Sequence, residues 1–405
     1  MTTLTKITQE GDSGAVSAPF GVTVTTLAVV GMVVVGQMYV AIPILPEIGA
    51  AWHTSQEAAT WATSAFALAY AVGSLVSGHL SNRFGGRAVM AGSVAMMAVV
   101  TALVPIGSSL GEGSFLRASQ GFLAGAFVPM AYSYLSSRIP ARRLPMALTV
   151  VSCAMGATVV VGQVEGQLLA AAFGWSSVFW ITAPLLALGA VVTWKVLLPG
   201  DAGQPAATPL LRTTNRLGRL VPLYLVTLAI AGSLTAIYTG VQLYGPEQLV
   251  GDPDAMLALR ASALPALLII VLLAPLFGAF GALTRAAGGF VVAAAGMLGA
   301  AVFVDSAVGL GVAIFIFIMG IAAVGPAIVQ AVGNAAGGSQ PVAIAVYGFA
   351  LNLGGAAGAQ LPLLVGGLAD LTVAIAGITG ISVVIILASA GLSRARAHRH
   401  PSTSV

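Results

Sequence analysis

Long apolar stretches, separated by short polar segments, constrain the fold of this chain more than any other feature. Of its 405 residues, 58% are hydrophobic and only 7% are charged, whereas a soluble domain carries about 25% charged residues. Such a chain has too few polar side chains to cover a soluble surface, so lipid is its expected solvent. At roughly 20 residues per span, the stretches predict an all-α membrane protein with twelve transmembrane helices. The predicted spans are 22–46, 57–80, 88–108, 113–137, 145–172, 176–198, 220–245, 256–282, 288–304, 307–333, 341–366 and 371–392.

Positive charges are distributed unevenly across the predicted membrane. Fourteen of the sixteen Lys and Arg residues fall on one side, and eight of the twelve acidic residues fall on the other. This bias sets orientation, so we expect a multi-pass protein of the cytoplasmic membrane with both termini in the cytoplasm. The bias also accounts for the net charge of +4 without a nucleic-acid partner. The basic residues are Lys6, Arg83, Arg87, Arg138, Arg142, Arg143, Lys195, Arg212, Arg216, Arg219, Arg285, Arg394, Arg396 and Arg399; the acidic residues are Glu47, Glu57, Glu112, Glu247, Asp252, Asp254, Asp305 and Asp370.

A polar, proline-rich segment divides the chain into two parts of similar length. The loop at 78–86 also aligns weakly with 281–289, each copy following the second predicted span of its part. These features predict two related bundles. The expected parts are a cytoplasmic tail at 1–21, a six-helix bundle at 22–198, a cytoplasmic linker at 199–219, a second six-helix bundle at 220–392 and a cytoplasmic tail at 393–405.

The loop between the second and third predicted spans carries a recognisable motif. Gly78, Arg83, Gly85 and Arg87 stand in the spacing Gly-x-x-x-x-Arg-x-Gly-x-Arg. This spacing resembles the signature loop of the major facilitator superfamily of secondary transporters. The resemblance implies two pseudo-symmetric six-helix bundles with a substrate site between them.

Asn82 stands where the family usually has Asp. In the family, that acid helps to close the cytoplasmic side against the positive N-terminus of helix 11, which we expect to begin near Pro341 here. An amide still hydrogen-bonds a helix end but lacks the charge–dipole attraction. We therefore predict a softer latch, and an Asn82→Asp variant that populates the outward-open state more.

Two further stretches resemble motifs of the same family. Arg117-x-x-Gln120-Gly121 is similar to the helix-4 motif, whose arginine is associated with proton transfer. The second stretch, in helix 5, is similar to the antiporter motif Gly-Pro-x-x-Gly-Gly, with glutamines replacing the proline and the last glycine. Its four motif positions are Gly162, Gln163, Gly166 and Gln167, and the two glycines match.

Arg117 and Glu165 lie deep within predicted spans of the first bundle, and Arg260 lies near the outer end of the eighth predicted span. A charge in the bilayer interior costs about 2.5–3.5 kcal/mol on insertion scales, so such residues are functional candidates. We expect Glu165 to bind and release a proton during transport, with Arg117 as partner. A pair with Arg260 would instead form an external gate. The structural alternatives are a static buried ion pair for Glu165 and an interfacial anchor for Arg117.

Aromatic and amide side chains supply the candidates for a substrate cavity. Each alone is as compatible with helix packing or an interfacial position, but together they predict an apolar substrate with a few hydrogen-bonding groups. The candidates are Gln37, Tyr39, Trp61, Tyr70, Gln120, Tyr132, Tyr238, Gln242, Tyr347 and Asn352.

No catalytic or metal-binding pattern is visible in the sequence. The Gly-x-Ser-x-Gly match around Ser109 falls in a predicted loop between helices, whereas hydrolases place it at a strand–helix turn. Metal-ligand spacings, nucleotide-binding loops and paired catalytic carboxylates are not found. The single cysteine, Cys153, allows no intrachain disulfide. We therefore expect no enzyme, no metal and no cofactor, with a proton gradient as the driving force.

The resemblance to the drug:proton antiporter branch implies proton-coupled efflux of a small amphipathic compound by alternating access. The expected partners are the small-molecule substrate, protons and the lipid bilayer, and the expected state is a monomer. Two alternatives are a proton symporter that imports a nutrient or metabolite and a non-transporting membrane receptor or scaffold.

Overall fold

The computed structural model describes residues 18–140, 142–199, 214–277, 280–336 and 340–399. Within these ranges the regular structure is helical, with no strand, as an apolar solvent demands of a chain that does not close into a barrel. Two short 3-10 turns, Ile42–Ile44 and Val104–Ile106, supplement the α-helices. The helices are α1 (Phe20–Gly36), α2 (Leu45–Ala51), α3 (Gln56–Ala59), α4 (Trp61–Phe84), α5 (Gly86–Leu103), α6 (Leu110–Gly125), α7 (Phe127–Arg138), α8 (Leu144–Phe173), α9 (Ser177–Val196), α10 (Thr214–Tyr244), α11 (Glu247–Val250), α12 (Pro253–Ala261), α13 (Ala263–Phe277), α14 (Ala282–Val302), α15 (Ala307–Ala336), α16 (Gln340–Val365) and α17 (Leu368–Arg399).

All twelve predicted spans correspond to helices of the structure. Ten helical segments of the described residues are long and apolar enough to cross a membrane. The shorter α1 and the α6–α7 pair, which is interrupted only at Ala126, supply the other two. The prediction of an all-α, twelve-helix membrane protein is confirmed.

Two spans predicted as continuous helices, 113–137 and 256–282, are interrupted. In each case a proline lies four residues beyond the break: Pro129 follows Gly125, and Pro265 follows Ala261. A proline ring clashes with the carbonyl group four residues earlier and provides no amide hydrogen for it. The second span also ends earlier than predicted, with α13 finishing at Phe277.

The first predicted span, 22–46, is also not one helix. α1 ends at Gly36, and an irregular turn leads into the 3-10 turn that begins at Ile42. The carbonyl oxygen of Gln37, which a continuing helix would use internally, accepts a hydrogen bond from Arg117 instead. Broken helices of this kind are tolerated in membranes where protein groups satisfy the freed backbone.

Glycines allow the close helix pairs that the sequence predicts. A Cβ atom on Gly121 of α6 would lie 2.0 Å from the carbonyl oxygen of Phe66 on α4. On α16, a Cβ on Gly354 would lie 2.2 Å from the Leu228 carbonyl oxygen of α10, and one on Gly358 would lie 2.1 Å from that of Gly232. No other residue fits these contacts without displacing backbone, so glycine sets the spacing of both helix pairs.

The helices α1–α9, called the first half below, pair in a pattern that α10–α17, the second half, repeats. α1 packs on α8 and α9, α5 on α9, and α4 on α6; correspondingly, α10 packs on α16 and α17, α14 on α17, and α13 on α15. Contacts between the halves are made chiefly by α4 with α16 and by α8 with α12 and α13. Most of the predicted linker, residues 200–213, lies outside the described residues.

Candidate functional site

Arg117 is fully buried in α6 and donates to three groups, two of them on other elements. Its Nε donates to the carbonyl oxygen of Ala62 at 2.9 Å, and its Nη2 donates to that of Gln37 at 2.7 Å. Nη1 donates to Oε1 of Gln120 at 2.6 Å. A planar guanidinium suits this task because its donors point in fixed, divergent directions. Arg117 thereby fastens α4 and α6 to the break after α1.

Aromatic rings and neutral groups complete the surroundings of Arg117. The guanidinium carbon lies 4.6 Å from the ring centre of Phe66 and 5.8 Å from that of Phe179, within range of cation–π attraction. Gln120 passes the network on by donating from Nε2 to Oγ1 of Thr101 at 2.7 Å. Because Arg117 is 0% exposed, the interfacial-anchor interpretation is wrong. Its association with proton transfer stays a prediction.

Glu165 is the one acidic residue, among those whose exposure is described, that is not solvent-exposed. Its Oε1 lies 3.1 Å from the hydroxyl oxygen of Thr182 on α9. The described contacts of Arg117 and Arg260 do not include Glu165. The predicted pairing with either arginine is therefore wrong for this conformation, and so is the alternative of a static ion pair. Glu165 meets α9 because the neighbouring face of α8 is occupied by α1.

That neighbouring face carries the glycines of the helix-5 motif. A Cβ on Gly162 would lie 2.6 Å from the carbonyl oxygen of Gly36, and one on Gly166 would lie 2.5 Å from that of Val40. Gln163 is buried and donates from Nε2 to the Val159 carbonyl oxygen of its own helix at 2.7 Å. The motif glycines thus pack α8 against the broken part of α1, within the first half.

Arg260, 2% exposed in α12, is bound by amide groups from both halves. Its Nη1 donates to Oε1 of Gln167 on α8, and its Nη2 donates to Oε1 of Gln242 on α10. Nε2 of Gln167 donates in turn to the carbonyl oxygen of Pro253. Gln167 stands where the family motif usually has glycine, and its long side chain reaches the other half. The gating role of Arg260 stays a prediction, with glutamines rather than Glu165 as its partners.

Six hydrogen bonds of the described residues cross between the halves, and all lie at one end of the bundle. Besides the two made by Gln167, Ser64 Oγ donates to the Ala356 carbonyl oxygen at 3.1 Å. Gln360 Nε2 lies 2.7 Å from Ser64 Oγ and 3.1 Å from Thr60 Oγ1. This set of contacts, called the seam below, adjoins the acidic loops. Its members are Gln56, Thr60, Ser64 and Gln167 from the first half and Gln242, Pro253, Arg260, Ala356 and Gln360 from the second.

Four of the predicted cavity residues converge from both halves. Tyr70 of α4 interacts electrostatically with Tyr39 and Tyr132, and Tyr132 interacts with Tyr347 of α16. Tyr39 and Tyr70 are buried, while Tyr132 and Tyr347 are half-buried. The tyrosines therefore form a group, called the tyrosine cluster below, between α1, α4, α7 and α16.

The remaining cavity candidates divide into three situations. Trp61 is 43% exposed at the first residue of α4, beside the seam, which fits an aromatic at headgroup level; its cavity role stays a prediction. Gln120 and Gln242 bind arginines, and Asn352 donates to the Gly348 carbonyl oxygen of its own helix at 2.7 Å. Gln37 and Tyr238 are buried, and their side-chain polar atoms have no hydrogen-bond partner in the described structure.

The signature loop is a tight turn between α4 and α5. Gly85 has a φ of +82°, which L residues with side chains rarely adopt. Arg87 lies 4.2 Å from the ring centre of Trp194 and donates to the Leu197 carbonyl oxygen at 3.4 Å, at the end of α9. Arg83 is exposed beside Phe84. The structure does not describe the surroundings of Gly78 and Asn82, or the side chains of residues 337–342 at the start of helix 11. The softer latch therefore stays a prediction.

Sequence reasoning missed the partners that form the seam. Ser64 and Gln360 are small or neutral polar residues in apolar helices, and nothing in the local sequence marks them. A weaker signal was present on α10, where Thr235, Tyr238, Thr239 and Gln242 follow one another at helical spacing. That periodicity indicates a polar face in an otherwise apolar span.

Curated relatives match only part of this chain. The tetracenomycin C resistance and export protein of Streptomyces glaucescens is 33% identical over 153 residues, 38% of this chain and 28% of that protein. The fatty acid resistance protein FarB of Neisseria gonorrhoeae is 29% identical over 159 residues, 39% of this chain and 31% of that protein. The multidrug resistance protein MdtG of Proteus mirabilis is 30% identical over 158 residues, 37% of this chain and 39% of that protein. The match thus covers less than two-fifths of each relative.

The fold and a family match extend over much more of the chain. A bacterial homologue of the human lysosomal transporter Spinster, solved in an inward-facing and unoccupied conformation, superposes with a TM-score of 0.67 over 91% of this chain and 95% of that one, at 16% sequence identity. Residues 27–359 match the Major Facilitator Superfamily. The chain belongs to the Major Facilitator Superfamily.

Proposed function

We propose that this protein is a secondary active transporter that exports small amphipathic compounds at the expense of a proton gradient. Three partial relatives are named for export of, or resistance to, tetracenomycin C, fatty acid or multiple drugs. Their names support efflux. The two-half architecture supports alternating access, in which the halves rock about a central site.

The seam is the observation that carries this proposal. Its hydrogen bonds join the halves at the end with the acidic loops, which the positive-inside rule places outside the cell. Between the described residues of the opposite end, no hydrogen bond joins the halves. We expect a molecule held closed at its outer end to load substrate from the cytoplasm or the inner leaflet, as an exporter does.

Glu165 is the proposed proton carrier. The hydroxyl of Thr182 lies 3.1 Å from Glu165 Oε1 and 2.6 Å from the Val178 carbonyl oxygen, and its single hydrogen serves one acceptor at a time. When Glu165 is ionised, Thr182 donates to it; when Glu165 is protonated, its own O–H donates to Thr182, which turns to Val178. The site thus accommodates both protonation states without moving a helix.

Transport driven by a pH gradient in proteoliposomes tests the proposal. Purified protein is reconstituted, a pH gradient is imposed, and movement of fluorescent amphipathic compounds is recorded. We expect accumulation in the compartment from which protons leave, and its loss in Glu165→Gln. Glu112→Gln, which removes an exposed carboxylate, should transport normally.

Other outcomes would contradict the proposal. Movement of cargo in the same direction as protons would identify a symporter. Unchanged gradient-driven transport by the Glu165→Gln variant would show that Glu165 does not carry the coupled proton. A protein that moves no compound and never exposes its centre to both sides would be a receptor or scaffold.

A further inference from the structure

A polar stripe on α10 faces the boundary between the halves. Tyr238 and Thr239 lie three and four residues after Thr235 and four and three residues before Gln242, which places all four on one side of the helix. All four are buried. Gln242 binds Arg260, so the stripe begins at the seam and runs from it into the bundle.

The hydroxyl groups of this stripe are unusual for a membrane helix. Thr227 and Ser233 on the same helix donate to carbonyl oxygens one turn earlier, at 2.7 and 2.6 Å. The hydroxyls of Thr235, Tyr238 and Thr239 have no hydrogen-bond partner in the described structure. Leaving a buried polar group unpaired costs about 1–3 kcal/mol. Three such groups within five residues leave hydrogen-bonding capacity that a bound molecule could use.

Residues opposite the stripe also carry buried polar atoms without hydrogen-bond partners in the described structure. Both side-chain polar atoms of Gln37, at the break after α1, lack a partner in the described structure. The turn lies beside the stripe, because Met38 Cε and Thr235 Oγ1 both border Gly355, 2.6 and 3.6 Å from where its Cβ would be. Nε of Arg260 is also buried and unpaired, and Arg260 interacts electrostatically with Tyr238. These proximities group five residues at the boundary between the halves, called the donor compartment below: Gln37, Thr235, Tyr238, Thr239 and Arg260.

The chemistry of the donor compartment favours an anion. Its free groups are a guanidinium N–H, which only donates, and three hydroxyls and one amide, which can donate or accept hydrogen bonds. The charge of Arg260 is met by two amide oxygens, and within the described residues no carboxylate lies within ion-pair distance. Glu47, which interacts electrostatically with Arg260, is exposed on α2. A carboxylate on the ligand would supply the missing counter-charge through short, charge-assisted hydrogen bonds.

We infer that the transported compounds are amphipathic anions whose carboxylate binds in the donor compartment while their apolar part contacts the tyrosine cluster. Tyr39 follows Gln37 in the same turn and connects the two regions. This inference rests on the proposed transport function and specifies its substrate class. When the seam opens, Arg260 loses Gln167 from the opposite half, which leaves a ligand carboxylate as its natural partner.

Equilibrium binding tests the inference without requiring transport. The protein is placed in nanodiscs of zwitterionic lipid and titrated calorimetrically with 1-naphthylacetate, 1-naphthylacetamide and 2-(1-naphthyl)ethylamine. These probes share one skeleton and carry a negative, a neutral and a positive head group. We expect the acetate to bind about tenfold tighter than the amide, which corresponds to 1.4 kcal/mol, and the amine to bind weakest.

Variants of the compartment residues test whether the preference for the acetate over the amide arises there. Arg260→Gln should equalise acetate and amide, Arg260→Lys should keep the preference, and Tyr238→Phe should weaken the acetate severalfold. Gln167→Ala removes both hydrogen bonds that this residue makes across the seam but keeps the charge of Arg260. It should therefore keep the preference, which separates the effect of charge from that of conformation. Thr227→Val, whose hydroxyl is already satisfied, is the matched control. Thermal unfolding checks that each variant is folded.

Two binding results would overturn the inference. The first is that the unchanged protein shows no preference for the acetate, or binds none of the probes. The second is that the preference survives in Arg260→Gln. Acetate-selective binding without transport would contradict the proposed function alone. Gradient-driven transport of the amine in preference to the acetate would contradict the anion assignment alone.

Discussion

The two buried arginines show how single residues are accommodated in this bundle. Arg117 donates a hydrogen bond from each of its three guanidinium nitrogens to an acceptor within the first half. Arg260 places two donors on side-chain amides, one from each half, and keeps a third unpaired. The first arrangement is saturated and rigid. The second contains one bond that a movement between the halves would break.

Arg117→Lys should destabilise the protein although it conserves charge. An ammonium group cannot reach three acceptors in the divergent directions that a guanidinium serves, and each buried hydrogen bond to a charged group contributes about 1.5–3 kcal/mol. We expect a clearly lower Tm of the purified protein, whereas Arg83→Lys at an exposed position should be neutral. Equal Tm values for both variants would show that the network adds little.

The sequence predicted some of these residues well and others not at all. Arg117 and Gln120 lie three residues apart on one helix, so their contact follows from local geometry. Glu165 was recognised as a buried acid, but its partner Thr182 depends on which face of α8 the glycines present to α1. Gln360 and Ser64 are separated by 296 positions in sequence, and only the packing of α4 on α16 brings them together.

At the scale of helices, hydropathy determined the number of spans, and prolines and glycines determined their shape. The breaks at Gly125 and Ala261 follow from prolines four residues later, which local reasoning could have located. The break after Gly36 could not be located in this way, because it depends on a hydrogen bond from a distant arginine. Close packing of glycine-rich faces was predictable from their four-residue spacing.

Two glycines of α16 provide a matched test of this packing. Gly354→Ala should destabilise the protein by about 1–3 kcal/mol, because its Cβ would lie 2.2 Å from the backbone oxygen of Leu228. Gly348→Ala, one and a half turns earlier, meets no atom within 4 Å and should be neutral or slightly stabilising. Denaturation of both variants in the same detergent measures the difference. Equal stabilities would mean that α10 and α16 separate easily.

At the scale of the whole molecule, the residues that the structure describes join the halves by only six hydrogen bonds. Net hydrogen bonds contribute only about 0.5–1.5 kcal/mol each, so a handful of them closes one end while leaving the closure reversible. The donor compartment and the tyrosine cluster lie where the halves meet. This distribution suits a protein whose halves separate during function.

Weakening the seam should shift the molecule towards the outward-open form. Gln360→Ala removes contacts to Thr60 and Ser64, worth about 1–3 kcal/mol together, and should raise labelling of a cysteine at position 239 by an impermeant external maleimide roughly tenfold. The background carries Cys153→Ser. Asn352→Ala, whose amide bonds its own helix, is the control on the same helix. An unchanged labelling rate would show that the seam does not hold the outer side closed.

Distances across the two ends test the central claim most directly. Spin labels are attached in the Cys153→Ser background, either at exposed Glu57 and Glu247 beside the seam or at exposed Arg83 and Arg219 at the opposite end. Double electron–electron resonance then gives both distances at high and low pH, with and without a transported compound. We predict reciprocal changes: whenever the distance beside the seam lengthens, the distance at the opposite end shortens. Distances that stay fixed under all conditions, or that lengthen together, would contradict alternating access.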